Sequence, residues 1–139
     1  MKYITQEDLV TDSYERFITE SSQDTGGVID RAEARAIAYA TSLLQERYDT
    51  AKIFDETKPV REVLLVDIIS KITLYYIFKR NAARKVSSDI KDDYDWAIKE
   101  LEKIHTGRIK LNLPPLTDGT GKAVSTSMYG NNSNSDFYI

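Results

Sequence analysis

Apolar residues recur every three or four positions through residues 1–116, which is the spacing expected for one face of an α-helix. This pattern predicts four helices followed by an extended segment. The first helix is predicted from about Gln6 to Ile18, because Thr5 and Asp8 have the spacing of a capping box that closes a helix start. We therefore expect an all-helical fold.

The second predicted helix begins at Asp30, which can accept hydrogen bonds from first-turn amides, with Glu33 in the capping-box position three residues later. Alanine is frequent in its first half and favours a helix. Its apolar stripe consists of Ile37, Ala40, Leu44, Tyr48 and Ala51. The helix is thus predicted to extend as far as residue 51.

The third predicted helix starts near Pro59, a residue that suits a first helical turn. Between Val60 and Phe78, 13 of 19 residues are apolar, and they cover most of the helix circumference. The four charged residues within this stretch argue against a membrane span. A helix so apolar is usually covered on several sides. We predict that it is the central helix of the bundle, or alternatively that it is partly buried against another subunit.

The fourth predicted helix runs from about Asp89 to Thr106, with Ser88 as its N-cap and Gly107 as the left-handed residue that ends it. Residues 108–113 alternate between polar and apolar side chains like a short strand. No second strand is apparent in the sequence, so we expect this segment to be extended without a strand partner.

The composition changes sharply after residue 116. Residues 1–116 carry 38 of the 41 charged residues, whereas 13 of the 23 positions in residues 117–139 are Gly, Ser, Thr or Asn. The latter segment cannot bury enough apolar surface to offset its own ordering entropy. Pro114 and Pro115 are predicted to form a hinge, because neither can extend a helix. The predicted organisation is a four-helix bundle-like domain (residues 1–116) and a flexible C-terminal arm (residues 117–139) that orders on a partner.

The overall composition narrows the chemistry open to the chain. Its 139 residues include one His and no Cys. The absence of Cys excludes disulfides, thiolate zinc sites and thiol nucleophiles. His105 falls in the last turn of the fourth predicted helix, where the helix dipole favours a partly cationic side chain. The formal net charge of -3 gives no overall attraction to nucleic acid or to anionic membranes. We therefore expect a non-enzymatic protein without a cofactor, a metal site or a membrane association.

Two acidic groups are candidates for metal binding, and both have a simpler interpretation. Residues 24–30 resemble a calcium loop, but only Asp24 and Asp30 supply carboxylates, and Arg35 occupies the position where the loop requires Glu. Carboxylates near the start of the fourth predicted helix are favoured by the helix dipole. This second group consists of Asp92, Asp93 and Asp95.

Two surfaces are candidates for partner binding. The end of the third predicted helix carries a candidate basic contact patch formed by Lys79, Arg80, Arg84 and Lys85. The helix dipole accounts for these cations, and contact with phosphate or an acidic partner is the alternative. The arm ends in three large apolar residues, Phe137, Tyr138 and Ile139. We predict that they anchor the arm on another chain, the alternative being an unstructured tail.

Several short segments, spread over about residues 3–113, occur in an order that points to a known family. They are Tyr3-Ile4-Thr5 with Asp8-Leu9, Gly27-Val28-Ile29-Asp30, Leu44 with Arg47-Tyr48, Pro59 with Val63-Leu64-Leu65 and Asp67-Ile68, and Tyr94, Ala97, Leu101, Ile104 and Gly107 followed by Ile109 and Leu111. This order resembles the small Mu-type phage proteins grouped with head–tail connector proteins, which are also called adaptor or head-completion proteins. The acidic loop of that family is reduced here, and the tail after Leu116 is longer.

The resemblance implies a virion protein of the head–tail junction, assembled in the host cytoplasm as a homo-oligomeric ring of about twelve copies. Such a ring binds the portal protein and tail or further connector proteins, and DNA passes through its channel without sequence recognition. The resemblance also implies that the C-terminal arm grips the portal, with Phe137, Tyr138 and Ile139 as anchors. The alternative interpretation is a small helical DNA-binding or regulatory module that uses the basic patch.

Overall fold

The chain forms helices joined by short connections. A computed structural model describes residues 2–12, 27–79, 86 and 88–116, and the side chains of these residues except 10–12. The helices are α1 (Gln6–Asp12), α2 (Val28–Leu44), α3 (Thr50–Ile53), α4 (Val63–Lys79) and α5 (Ser88–His105). The described residues contain no strand, so the predicted all-α class is confirmed. None of the described helices is both long and apolar enough to cross a membrane.

Helix α4 is the central element of the described fold. It packs against α1, α2 and α5, and α2 also packs against α5. Its buried apolar side chains are Leu65, Ile68, Ile69, Ile72, Leu74 and Ile77. Each such side chain stabilises the fold by about 1.5–3 kcal/mol through the burial of apolar surface. The prediction of a central helix is therefore confirmed.

The capping box at the start of α1 is present as predicted. The backbone N–H of Thr5 donates to Asp8 Oδ2 at 2.7 Å, and the N–H of Asp8 lies 3.3 Å from the Thr5 hydroxyl oxygen. The two residues thus satisfy amides at the helix start reciprocally. The continuation of this helix to Ile18 that the sequence predicts lies outside the described residues.

The start of α2 differs from the prediction, which placed the N-cap at Asp30. The N-cap is Gly27, with φ 86° and ψ 0° in the left-handed region, and no side chain caps the helix. Asp30 lies inside the first turn, where its charge still interacts favourably with the helix dipole. Glu33 is not a capping partner, because its carboxylate is buried and accepts hydrogen bonds from a distant part of the chain.

Helix α2 also ends earlier than the stripe to Ala51 predicted. It stops at Leu44, whose carbonyl oxygen accepts the N–H groups of both Arg47 and Tyr48 in a tight turn. A separate short helix, α3, then starts because the Asp49 side chain accepts the N–H of Lys52 at 3.2 Å. Ala51, the last residue of the predicted stripe, therefore belongs to α3, and its side chain is exposed.

The last two long helices have well-defined ends. Helix α4 begins at Val63 rather than near Pro59, and the carboxylate of Glu62 caps it by accepting the N–H of Leu65 at 3.0 Å. Helix α5 closes close to its predicted end, with Gly107 in the left-handed conformation (φ 86°). The Arg108 N–H reaches back to the carbonyl of Lys103 at 2.9 Å, as in a Schellman motif.

Candidate functional site

The C-terminal end of the described chain is fixed to the loop between α2 and α3. An isolated antiparallel bridge pairs Tyr48 with Pro115. The Asp49 N–H donates to the carbonyl of Pro114 at 2.9 Å, and the Leu116 N–H donates to the carbonyl of Arg47 at 3.1 Å. The two prolines are therefore not a free hinge, because the residues on which a hinge would depend are hydrogen-bonded to the helical domain.

The side chain of Tyr48 extends this attachment along the preceding extended segment. Tyr48 is 8% exposed, and its hydroxyl oxygen accepts the backbone N–H of Leu111 at 3.0 Å. Leu113 is likewise buried and belongs to the hydrophobic core. The segment from residue 108 to residue 116 therefore lies against the domain, and it does so without forming a strand.

Arg47 connects the same loop to the end of α5. Its Nε donates to the carbonyl of His105 at 2.9 Å, and its guanidinium lies against Gly107. His105 Nδ1 is 3.1 Å from the carbonyl of Leu43, so this nitrogen carries a proton and donates it. Arg47 and His105 thus join the ends of α2 and α5. We name the contacts of Arg47, Tyr48 and Asp49 with residues 105–116 the exit clamp.

The start of the chain is fixed by the buried carboxylate of Glu33, which is 2% exposed. Glu33 Oε1 accepts the backbone N–H of Lys2 at 2.6 Å, and Oε2 accepts those of Tyr3 and Ile4 at 3.2 and 3.0 Å. These three bonds replace water around the buried charge. The sequence assigned Glu33 to a capping box and gave no signal for this contact across about 30 residues.

A groove opens beside the start of α4 and has a volume of about 470 Å³. It is lined by Asp8, Glu62, Val63, Leu64, Val66, Asp67 and Ser70, and we name it the α4 groove. Val63 is 84% exposed, so a large apolar side chain faces solvent at this position. The Ser70 hydroxyl is buried without a hydrogen-bond partner among the described residues. The α4 groove therefore combines apolar surface with acidic side chains and one hydroxyl that lacks a partner among the described residues.

Aromatic side chains of α4 and α5 form a cluster farther along α4. The rings of Tyr75 and Tyr94 stack with centroids 4.0 Å apart, and Tyr76 meets Tyr94 edge to face at 6.1 Å. Arg35 of α2 lies over the ring of Tyr76, with its guanidinium carbon 4.2 Å from the centroid. Burial, together with the neighbouring Tyr76, raises the pKa of Tyr94 to about 12. The faces of these rings are already in contact with protein groups.

The predicted partner-binding residues fall only partly within the structure. Lys79 is the last residue of α4 and is exposed, with its ammonium 5.6 Å from the ring centroid of Tyr75. The other residues of the basic patch and the anchors of the arm lie outside the described residues. These residues are Arg80, Arg84, Lys85, Phe137, Tyr138 and Ile139.

The acidic residues that the structure describes do not converge. Within the described ranges, no group of three or more His, Asp or Glu side chains could hold a metal ion. Asp95 forms an ion pair with Lys91 at 3.5 Å, one turn earlier on α5. Asp24, the first residue of the candidate calcium loop, lies outside the described residues.

The fold and the exit clamp define a small all-α protein in which the first and last described segments, residues 2–4 and 111–116, are both hydrogen-bonded to the helical domain. The match to a known family is more specific. Residues 3–128 match the family described as bacteriophage Mu, Gp36, and the chain belongs to this family. It is thus a protein of a Mu-type phage family. None of the curated proteins compared with the chain matches it significantly.

The family match covers all the described helices and part of the predicted arm. It continues past Leu116 to residue 128 and leaves out residues 129–139. The candidate anchors Phe137, Tyr138 and Ile139 therefore lie in the portion of the chain that the family does not share.

Proposed function

We propose that this phage protein is a head–tail connector (adaptor) subunit, which forms a ring, binds the portal and joins the capsid to the tail around the DNA channel. Family membership, and the resemblance of the chain to connector proteins, support the role. The structural observation that carries the proposal is the exit clamp. A connector must present a binding arm at a defined place, and the clamp fixes the root of residues 117–139 at Leu116.

The reach of the arm is compatible with contact to a neighbouring protein. A flexible chain of 23 residues has an r.m.s. span of roughly 25–29 Å. This distance starts from the fixed position of Leu116, so the end of the arm can sample the surface of an adjacent molecule. Phe137, Tyr138 and Ile139 are the groups that would bury apolar surface there, as short anchor motifs do.

The proposed role is structural rather than catalytic. In a ring, each copy contributes the same modest contact, and many copies acting together bind far more strongly than one. The location that follows from the proposal is the head–tail junction of the virion, with about twelve copies. The partners are further copies, the portal and tail proteins.

The experiment is co-purification of the full chain with the portal protein of the same phage. A triple variant, F137A/Y138A/I139A, removes the anchors, and a matched triple variant, N131A/N132A/N134A, changes the same number of polar arm residues. We expect the first variant to lose portal binding and the second to retain it. If the unmodified chain ignores the portal, the connector proposal is wrong. If the anchor variant binds normally, only the role of the arm is wrong.

The second candidate is a DNA-binding module that uses the basic patch. The exposed position of Lys79, followed in sequence by Arg80, Arg84 and Lys85, is the observation in its favour. Binding through four cations should weaken steeply as the salt concentration rises, because each phosphate contact releases a counterion. Strong duplex binding with such a salt dependence, in a chain that does not bind portals, would establish this candidate in place of the connector.

A further inference from the structure

We propose that two copies of this chain associate head-to-tail, with the α4 groove of one copy receiving the basic segment (residues 79–85) of the next. The inference rests on the ring-subunit role and names the surfaces that build the ring. The acceptor surface is the groove at the start of α4, and the donor surface begins at Lys79, where α4 ends.

The α4 groove has the chemistry to hold a long cationic side chain. Val63, Leu64 and Val66 supply apolar surface for an aliphatic stem. Asp8 and Asp67 also line it, but they are already paired with Arg61 and Lys71, respectively. Glu62 has no ion-pair partner among the described residues and accepts only the N–H of Leu65. An incoming Lys or Arg would supply that partner.

The buried hydroxyl of Ser70 is a second and independent sign of a missing partner. Ser70 is 1% exposed and lines the α4 groove, and its Oγ makes no hydrogen bond within the described part of the chain. Buried polar groups are nearly always hydrogen-bonded in native proteins. A donor entering the groove from another molecule would satisfy this oxygen.

The second copy is the occupant that best matches this chemistry. The basic segment contains Lys79, Arg80, Arg84 and Lys85 and no acidic residue. The C-terminal arm is a poorer match, because two of its three charged residues are acidic and one of these, Asp136, directly precedes the apolar anchors. The acidic rim of the groove would repel Asp136.

The α4 groove and Lys79, the first residue of the basic segment, lie at opposite ends of α4. The 17 residues of α4 span about 24–26 Å, so Val63 and Lys79 cannot meet within a single copy. An interface that joins two different surfaces is heterologous, and it forms a closed ring or an open filament rather than a self-limited dimer. The opposite charges of Glu62, which precedes α4, and Lys79, which ends it, therefore fit the head-to-tail contact that a connector ring needs.

An exposed aromatic side chain of α5 lies beside Lys71 of α4. The ammonium of Lys71 is 3.1 Å from Asp67 and 5.8 Å from the ring centroid of Trp96. Trp96 is 36% exposed, and it and Val63 are the exposed large apolar side chains of the described residues. A neighbouring copy that covers the α4 groove would extend over this apolar surface as well.

Because the sequence contains no Cys, a thiol crosslinker reacts only with cysteines that are introduced by substitution. The variant Val63→Cys with Lys79→Cys carries one thiol on each proposed surface, and a short bifunctional thiol reagent then joins neighbouring copies of the full chain. We expect a ladder of dimers, trimers and larger species, and neither single variant should form it. The matched control is Ala38→Cys with Ala51→Cys, two exposed positions away from both surfaces.

The size of the crosslinked products decides between the arrangements. If crosslinking of the double variant stops at dimers, the copies pair with two-fold symmetry and the head-to-tail proposal is wrong. The proposal is also wrong if the crosslinked product is no larger than that of the control. Glu62→Gln retains an acceptor for Leu65 but removes the charge, and in the double-thiol background it should reduce the ladder several-fold. A chain that binds portals but gives no ladder would leave the connector role intact while refuting this interface.

Discussion

The guanidinium of Arg47 occupies the space in which a side chain at Gly107 would lie. A Cβ at position 107 would be 3.1 Å from Arg47 Nη2, and Arg47 is held there by the bond from its Nε to the carbonyl of His105. Gly107 has φ 86°, so its lack of a side chain serves both the backbone turn and the approach of Arg47. The helix end and the exit clamp are therefore one structure.

The change Gly107→Ala should lower the free energy of unfolding by about 2–3 kcal/mol. The left-handed conformation costs a non-glycine residue about 1–2 kcal/mol, and displacement of the guanidinium costs about 1 kcal/mol more through the bond to His105. Gly27→Ala is the matched control, because Gly27 has the same φ but nothing within 4 Å of an added Cβ. Urea unfolding measures both, and equal losses would show that the Arg47 contact contributes nothing.

The change Glu33→Gln should destabilise the fold by about 1–3 kcal/mol, because a buried acceptor is replaced by a group that presents a donor to backbone N–H groups. The effect should be local at first: the amides of Tyr3 and Ile4 should exchange hydrogen faster than in the unmodified chain. Hydrogen exchange and urea unfolding measure the two effects. Glu46→Gln, at an exposed position, is expected to change neither.

The change Tyr48→Phe should weaken the attachment of residues 108–116 to the helical domain. The Leu111 N–H loses its acceptor while the ring remains to pack, so the loss of stability is about 1 kcal/mol. Protease cleavage within residues 108–116 should become faster. Tyr3→Phe removes a hydroxyl bonded to the carbonyl of Val60 at 2.8 Å and gives a control of similar size. Faster cleavage of residues 108–116 in the Tyr3 variant as well would contradict a specific role for Tyr48.

The stability of the domain should decline in alkaline solution. Burial raises the pKa of Tyr3 to about 12, and the pKa of Tyr94 is also about 12. In the unfolded chain both phenols titrate near 10. Between these values the folded chain retains protons that the unfolded chain has released, so stability is complete below pH of about 10 and falls as pH rises towards 12.

Urea unfolding at several pH values in this range measures the decline. The variants Tyr3→Phe and Tyr94→Phe should each make it shallower, since each removes one group that titrates differently in the two states. An unchanged slope in both variants would assign the alkaline loss to other groups.

Local periodicity predicted the three long helices because each has an apolar face that recurs every three or four residues. It failed where the chain turns. The stripe to Ala51 continues in sequence past Leu44, and only the turn after Leu44 and the N-cap at Asp49 show that two helices share it. Likewise, an acidic residue three positions after Asp30 fits a capping box, although Gly27 starts the helix.

The contacts that fix the first and last described segments could not be predicted from sequence spacing. Glu33 bonds to amides about 30 residues away, and Arg47 bonds to a carbonyl 58 residues away. The side-chain pattern does not indicate which group accepts the backbone N–H of Ile4 or of Leu111. The pairing near Pro115 is a single bridge, too short to produce the alternation that reveals a strand.

The bridge between Tyr48 and Pro115 also determines how the molecule would bear a mechanical load. A pull on residues 117–139 reaches the Leu116 amide first and passes through its bond to Arg47 into the loop between α2 and α3. The bond from Asp49 to Pro114 shares this tension. The strain therefore enters the protein at residues 47–49, in the first half of its sequence, and residues 108–113 and α5 behind them bear it only after these two bonds have broken.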